Sequence, residues 1–337
     1  MAGLMLCSVP LPLALTFSAP GAAKSPTSHA HGGMPPPLQS SRTSPTACPS
    51  FSSSAPSARR TPAIFSPSRR AAPPRMAFSP LVPFSLACTV PTTLGFWKSE
   101  YGVSYAYGTA MLSTGALLLA SAPPSRLAYA HAACVAFYGL RLNLFLLWRE
   151  LTIPRFRDFR DKIEARSTER GGRWKRTPFL LACSGLYLGM ASPMVLTARA
   201  ATAGRIAPLL LVLMYAGLYV AAVGDIWKSA VKAKRGSDVL VTSGPFAILR
   251  HPNYTGEFVL WSANAALGVS AAVSSNLVKQ SAGWLAASAF GVCGICFVLM
   301  QAATSLEGKQ AEKYAGEPTY EAWLRRTWAG PTFAKKA

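Results

Sequence analysis

The sequence contains few charged residues and very few acidic ones. Only 14% of its 337 residues are charged, and Asp and Glu together number 13 against 34 Lys and Arg. The first acidic residue is Glu100, so a long N-terminal stretch carries no negative charge. Half of the residues are apolar. The length would allow two ordinary soluble domains, but so little charge among so many apolar residues argues against them.

Several motifs that bind cofactors or metals are also missing. There is no G-x-G-x-x-G, P-loop, H-E-x-x-H or G-x-S-x-G pattern, which excludes a recognisable Rossmann-type cofactor domain. The seven cysteines show no disulfide spacing. The one C-x-x-C, Cys293 to Cys296, has no second pair or nearby His, so we interpret it as two small packing residues. We predict no metal site.

Residues 1–76 have the composition of a targeting leader. They contain seven basic residues and no acidic one, and Ser, Pro, Ala and Thr dominate. Leu4 to Ala19 could act as a short signal-like region, so the whole segment resembles the two-part leader of plastids acquired from another alga. The alternative is a disordered tail. We predict a leader over 1–76, a membrane domain over 77–337, and a plastid envelope or thylakoid location, with the endoplasmic reticulum as the alternative.

Six long apolar runs follow the leader. Each has about 20 residues, the length that crosses ~30 Å of hydrocarbon, and each is apolar around the full helical turn. The runs are Gly102–Ala122, Leu127–Trp148, Pro178–Thr197, Ile206–Trp227, Thr255–Val273 and Gly283–Ala303. A shorter run, Leu81–Trp97, contains two prolines and could be a seventh. The predicted fold is therefore all-α, a multi-pass membrane protein with about six or seven transmembrane helices in a lipid bilayer.

The basic residues concentrate in alternate loops between these runs. The segments Arg149–Thr177, Lys228–Tyr254 and Thr304–Ala337 hold 21 basic residues, whereas the three short loops hold four. Alternation places the basic segments on one side of the membrane, the cytoplasm-equivalent side, which in a plastid is the stroma. No basic stripe alternates with stacking aromatics, so we predict no nucleic-acid partner.

The most informative stretch is Leu249 to Trp261. It brings five polar residues together just before an apolar run: Arg250, His251, Asn253, Tyr254 and Glu257. Pro252 suits the first turn of a helix, on which Asn253 and Glu257 would share a face. Glu257 would then lie below the headgroups, where a carboxylate is costly and usually functional, and Arg250 and His251 are its nearest possible partners. The alternative, a set of interfacial anchors, does not explain Glu257.

Two further groups of polar residues precede this stretch. Asp225, Lys228 and Lys232 line one helical face, where lysines would attract a phosphate-bearing ligand or, alternatively, extend toward the headgroups. Arg141 is the only basic residue inside the six runs, and it needs either a structural partner or membership of a site.

The first long run begins with an acid beside phenols. Glu100, Tyr101 and Tyr107 could polarise a carbonyl group, although aromatic residues are common at membrane surfaces. These three residues are the candidate catalytic groups. We interpret His131 as a polar packing residue.

The segment Arg-His-Pro-Asn-Tyr-x-Gly-Glu, residues 250–257, resembles the superfamily of steroid 5α-reductases, sterol reductases and isoprenylcysteine carboxyl methyltransferases. Tyr138–Arg149, Asp225-x-x-Lys228 and the tail from Leu306 to Trp323 resemble the steroid-reductase-like C-terminal domain family, including its plant and algal members. This domain-like part covers residues from about 130 to 333.

The resemblance implies a cofactor held among helices and loops. NADPH would contact Asp225, Lys228, Lys232, Arg250, His251, Asn253, Tyr254, Glu257 and Tyr320. No motif matches the catalytic Glu and Tyr of steroid reductases, so Glu100, Tyr101 and Tyr107 are assigned by position only. We expect an NADPH-dependent reductase of a C=C bond in a hydrophobic, lipid-like small molecule. The alternatives are an S-adenosylmethionine-dependent methyltransferase and a non-catalytic lipid-binding or scaffold protein.

Overall fold

The computed structural model of the protein describes residues 79–333 except Pro124, Arg170 and Ser237. The proposed leader, residues 1–76, lies outside the described residues. The described part contains ten α-helices and no β-strand. The helices are α1 Leu81–Thr92, α2 Leu94–Trp97, α3 Ser104–Ala120, α4 Arg126–Thr152, α5 Pro154–Glu169, α6 Thr177–Arg199, α7 Ala207–Arg235, α8 Pro252–Ser274, α9 Ala282–Tyr314 and α10 Pro318–Arg326.

Six of these helices, α3, α4, α6, α7, α8 and α9, are long and apolar enough to cross a membrane. They coincide with the six predicted runs, so the prediction of an all-α multi-pass membrane protein is confirmed. The shorter run Leu81–Trp97 is divided at Thr93 into α1 and α2. The 12 residues of α1 span only about 18 Å, which is less than the thickness of the hydrocarbon core.

The membrane helices pack in pairs through facing glycines. A side chain on Gly217 of α7 would meet the Gly256 carbonyl of α8 at 2.5 Å, so these two backbones lie in direct contact. The same close approach joins α3 to α4 and α6 to α9, through the pairs Gly108–Gly139 and Gly189–Gly291. Small residues allow this because association within lipid depends on close van der Waals packing rather than on burial from water.

Apolar side chains cover the outer faces of α7 and α9. Leu209, Val212 and Tyr219 of α7 are exposed, as are Phe290 and Phe297 of α9. These faces suit contact with lipid, because acyl chains solvate apolar side chains and every backbone group is already paired within its helix. The polar residues inside the bundle are therefore the exceptions that need an explanation.

The three basic segments meet at one end of the bundle. The Tyr314 hydroxyl at the end of α9 donates to the Asp238 carbonyl after α7, at 2.7 Å. The Trp323 indole of α10 donates to the Phe246 carbonyl at 2.6 Å. Arg149, near the end of α4, interacts electrostatically with Lys228 of α7. The loop before α8 thus lies between the end of α4 and the C-terminal segment.

Candidate cofactor and substrate site

The loop before α8 is held by the C-terminal segment and by α9. The Arg250 backbone N–H donates to the Trp328 carbonyl at 2.8 Å, and Pro252 begins α8 as predicted. The side chains of Arg250 and His251 both reach Glu307 of α9, with Nη1–Oε2 and Nε2–Oε1 distances of 2.5 and 2.6 Å. The expectation that they would neutralise Glu257 is therefore wrong, because both side chains turn toward α9.

His251 lies at the centre of this contact and is almost fully buried. Burial lowers the pKa of His251, while the hydrogen bond and the charge of Glu307 act in the opposite direction. A neutral imidazole with its proton on Nε2 donates to the Glu307 carboxylate. The Tyr254 ring lies 6.0 Å from the imidazole, and Tyr320 interacts electrostatically with Glu307 and Arg250. We call Arg250, His251, Glu307, Tyr254 and Tyr320 the mouth.

Three charged side chains lie deeper, between α4, α7 and α8. Arg141 Nη2 donates to Asp225 Oδ2 at 2.8 Å, and both side chains are largely buried. Glu257 interacts electrostatically with Arg141 and with Asp225. Arg141 therefore has a structural partner in Asp225 and lies near Glu257, and its membership of a functional site stays a prediction.

Aromatic rings surround the inner side of Glu257. The Tyr138 ring lies 5.6 Å from the Tyr107 ring and 5.1 Å from the Trp261 ring, and Tyr187 stacks on Tyr107 at 5.6 Å. Both the Tyr107 and Tyr138 phenols interact electrostatically with Glu257. We call Arg141, Asp225, Glu257, Tyr107, Tyr138 and Trp261 the stem.

Two polar atoms of the stem, Trp261 Nε1 and Arg141 Nη1, are buried without a hydrogen bond to any described residue. The hydroxyls of Tyr107 and Tyr138 lie beside each other, and that of Tyr138 also lies beside Glu257. A buried polar group that stays unpaired costs about 1–3 kcal/mol. Two such atoms in a cluster that also holds the Glu257 carboxylate make the stem a candidate binding site, because packing normally pairs its polar atoms.

Cations lie between the stem and the mouth. Lys228 interacts electrostatically with Asp225, Lys232 and Arg149, and also with His251 of the mouth. Lys232 is buried, although it lies in the last turns of α7. Asn253 follows Pro252, and its backbone lies against Gly224 of α7. The charge thus changes from positive near the membrane surface to negative at Asp225 and Glu257.

The three candidate catalytic residues have different surroundings. Tyr107 joins the stem, whereas Glu100 and Tyr101 belong to an ionic network beside α5. Arg160 Nε lies 2.6 Å from Glu100 Oε2, and Arg160 and Tyr101 both contact Glu150. The Glu100 carboxylate is therefore already paired with the buried guanidinium of Arg160.

The structure also adds residues that sequence reasoning did not assign to the site. Glu307 is one of them; its signals were a lone carboxylate near the end of an apolar run and its place in the tail that resembles the reductase-like family. Tyr138 is another; its signal was its place at the start of the Tyr138–Arg149 segment, which resembles the same family. His131 has the predicted packing role: its Nδ1 lies 3.0 Å from Thr197 Oγ1 and its Nε2 lies 2.7 Å from Asn264 Oδ1.

Six membrane-length helices around a buried polar stem define an α-helical integral membrane protein. The chain belongs to the DUF1295 family, described as proteins of unknown function, whose sequence profile matches residues 98–327. This family is associated with steroid 5-alpha reductase-like membrane proteins. Neither the curated proteins nor the solved structures contain a match to the chain.

Proposed function

We propose that the protein is a membrane-embedded, NADPH-dependent reductase of a C=C bond in a lipid-like substrate, such as a steroid or isoprenoid enone. The observation that carries the proposal is the stem, in which Tyr107, Tyr138 and Arg141 all interact with Glu257 inside the membrane bundle. Polar groups at this depth are expensive and are usually retained for function. Aromatic walls suit an apolar substrate, while the hydroxyls suit one oxygen on it.

The residues around the stem fit a dinucleotide cofactor. Lys228, Lys232 and Arg250 have the charge and the donors that phosphates require. Asp225, Asn253, Tyr254 and Glu257 offer acceptors and donors for ribose and amide groups, and His251 and Tyr320 complete the mouth. Bound NADPH would supply the hydride for reduction.

The chain itself would handle the oxygen and the proton. The Tyr107 and Tyr138 hydroxyls would donate hydrogen bonds to the carbonyl oxygen and stabilise the negative charge that develops there. A Tyr or Glu of the stem would deliver the proton to the α-carbon, after hydride addition at the β-carbon. The surrounding helices would exclude water from the reacting atoms.

We place this activity in a plastid membrane. The acid-free composition of residues 1–76 supports a transit function, although that segment lies outside the described residues. The basic mouth would then face the stroma, in agreement with the distribution of positive charge.

The proposal is tested by cofactor binding to the purified full chain in lipid nanodiscs. NADPH, NADH and S-adenosylmethionine are titrated separately, with tryptophan fluorescence and thermal unfolding as readouts. At 100 times its Kd, NADPH should stabilise the protein by about 2.7 kcal/mol. Glu257→Gln and Asp225→Asn should weaken this response, whereas Glu321→Gln on the exposed face of α10 should leave it unchanged. The absence of any NADPH response in the wild type would end the proposal.

A second candidate, methyl transfer from S-adenosylmethionine to a prenylated or lipid acceptor, is favoured by one observation. Two carboxylates of the stem, Glu257 and Asp225, interact electrostatically with each other. Such a place suits a sulfonium cation. A response to S-adenosylmethionine alone would support this candidate. A response to neither cofactor would favour a non-catalytic lipid-binding protein or scaffold.

A further inference from the structure

The helix α5 lies outside the membrane-spanning helices and is held in place by Arg160. This side chain is 2% exposed and forms ion pairs with Glu100 and Glu150. Its guanidinium carbon also lies 4.8 Å from the centre of the Tyr101 ring and 5.1 Å from that of Tyr105. We call Arg160, Glu100, Glu150, Tyr101 and Tyr105 the latch. It joins α5 to the beginning of α3 and the end of α4.

A second ionic contact fixes the next turn of α5. Glu164 lies 2.8 Å from Arg176 Nη2 and accepts a hydrogen bond from the Ser99 backbone N–H, also at 2.8 Å. Burial opposes ionisation here, but these partners hold the pKa of Glu164 below its usual value. Phe156, Arg160 and Glu164 are spaced four residues apart, so all three project from one face of α5. That face is therefore anchored along two turns.

Phe156 connects the latch to the site. Its ring centre lies 4.5 Å from the guanidinium carbon of Arg160 and 4.3 Å from that of Arg149. The two guanidinium groups thus stack on the same buried ring. Arg149 is itself 8% exposed and interacts electrostatically with Asp225 and Tyr254, as well as with Glu100 of the latch.

We propose that Phe156 and Arg160 are positioning residues, which hold Arg149 at the boundary between mouth and stem so that it binds the anionic part of the cofactor. The inference rests on the proposed function, because it assigns Arg149 a ligand there. The physical reason is orientational: a long arginine side chain has many rotamers, and stacking on a fixed ring selects one of them before binding. Displacement of α5 removes that ring and widens the range of positions open to the guanidinium, which also lies 5.4 Å from the centre of the Phe145 ring of α4.

The test compares Phe156→Leu, Arg149→Met and the double variant with the wild type, by NADPH titration of the full chain in nanodiscs. Phe156→Leu retains an apolar side chain of similar size and leaves the ion pairs of the latch intact, so it should fold. Phe179→Leu, at an exposed aromatic residue of α6, is the matched control. Each single variant should raise the Kd for NADPH about tenfold, the size of one charge-assisted contact, and the control should not.

The double variant provides the decisive measurement. If Phe156 acts through Arg149, the double variant should bind as weakly as Arg149→Met alone, because the second change has nothing left to disturb. Additive effects in the cycle, or an unchanged Kd for Phe156→Leu, would overturn the proposal. Under turnover conditions Phe156→Leu should raise KM for NADPH and leave kcat unchanged, which a general loss of stability would not do.

Two further measurements separate this inference from the proposed function. Inorganic pyrophosphate probes anion binding without reference to reduction, and its affinity should follow the same cycle even if the wild type ignores NADPH. Trypsin should cleave α5 at Arg157 or Arg166 faster in Arg160→Met than in the wild type, because the latch is broken. An unchanged cleavage rate would show that Arg160 does not hold α5.

Discussion

Glu307 is the residue on which the mouth depends. One carboxylate serves two partners, Arg250 at 2.5 Å and His251 at 2.6 Å, and all three side chains are at least 85% buried. An isolated cation in such a place is strongly disfavoured, so the carboxylate stabilises Arg250 as much as it orients His251. Because Arg250 and His251 immediately precede α8, their contact with Glu307 also holds the start of α8 against α9.

We therefore expect Glu307→Gln to destabilise the protein. The substitution keeps the shape but removes the charge that compensates Arg250, and the free energy of unfolding should fall by about 3 kcal/mol. Thermal unfolding in detergent measures the change, and Glu312→Gln at an exposed position of the same helix serves as the control. Equal melting temperatures for the two variants would show that the mouth does not need this carboxylate.

His251 should make the stability depend on pH. Burial holds its pKa below the ordinary value of 6.5, with Lys228 and Arg250 acting in the same direction and Glu307 against it. Protons therefore bind the unfolded chain more readily than the folded one. The contribution of His251 is complete above about pH 6.5 and decreases as the pH falls below it. Melting temperatures measured from pH 7.5 to 5.5 should fall more for the wild type than for His251→Gln; parallel curves would contradict this assignment.

Tyr138 should matter for turnover more than for binding. Its hydroxyl interacts with Tyr107 and Glu257 in the stem, so Tyr138→Phe removes a donor there without changing the packing of the ring. We expect kcat to fall about 10²-fold or more with little change in the Kd for NADPH. Tyr187→Phe is the control, because that hydroxyl already donates to the Val103 carbonyl at 3.0 Å. A similar loss of kcat in both variants would indicate a general packing effect.

At the scale of the helices, two kinds of contact hold the bundle together. Facing glycines, which we call glycine seams, join the helices in pairs, and polar contacts in the stem join one pair to another. α3 with α4, and α7 with α8, meet backbone to backbone. Across the stem, α4 meets α7 through the Arg141–Asp225 ion pair and a hydrogen bond from Tyr215 to the Ala130 carbonyl. The helix pair α3–α4 and the helix pair α7–α8 therefore turn polar residues toward each other, and the candidate site lies where the two pairs meet.

The seams predict which glycines tolerate a methyl group. In Gly217→Ala the new carbon would lie 2.5 Å from the Gly256 carbonyl oxygen, so α7 and α8 must separate. We expect a loss of about 1–3 kcal/mol. Gly185→Ala on α6 meets nothing within 4 Å and should be neutral or slightly stabilising. Thermal unfolding of both variants checks the prediction. If Gly217→Ala is tolerated as well as Gly185→Ala, the backbones of α7 and α8 are not in the close contact described above.

At the scale of the whole molecule, we expect charge to determine the orientation in the membrane. The basic segments after α4, after α7 and after α9 lie at one end of the bundle, while the short loops lie at the other. Under the proposed function, a charged cofactor would approach from the aqueous side that holds the cations, and an apolar substrate would remain in the bilayer.

The orientation can be measured by cysteine labelling in sealed membrane vesicles. Single cysteines at the exposed positions of Lys162 and Glu321 should react with a membrane-impermeant maleimide from the same side. Cysteines at Ala201 and Lys279, in the short loops, should react only from the opposite side. The protein without exposed native cysteines is the background. Labelling of Lys162→Cys and Glu321→Cys from different sides would contradict the shared face.

The sequence alone was sufficient to predict the six membrane-length helices and the start of α8 at Pro252. Both depend on local properties, namely the length of an apolar run and the fixed backbone angle of proline. The sequence also predicted that Glu257 would need a partner, because a carboxylate is costly below the headgroups, but it did not predict that the neighbours would be Arg141 and Asp225.

Only the tertiary structure decided which partners these residues have. Arg250 and His251 meet Glu307, 57 and 56 residues further along the chain, rather than the nearby Glu257. Tyr107, Tyr138 and Trp261 come together from α3, α4 and α8, and Glu100 is taken up by Arg160. Helical periodicity specifies the face on which a side chain lies, but the partner across that face depends on how separate helices dock, and no local pattern encodes that.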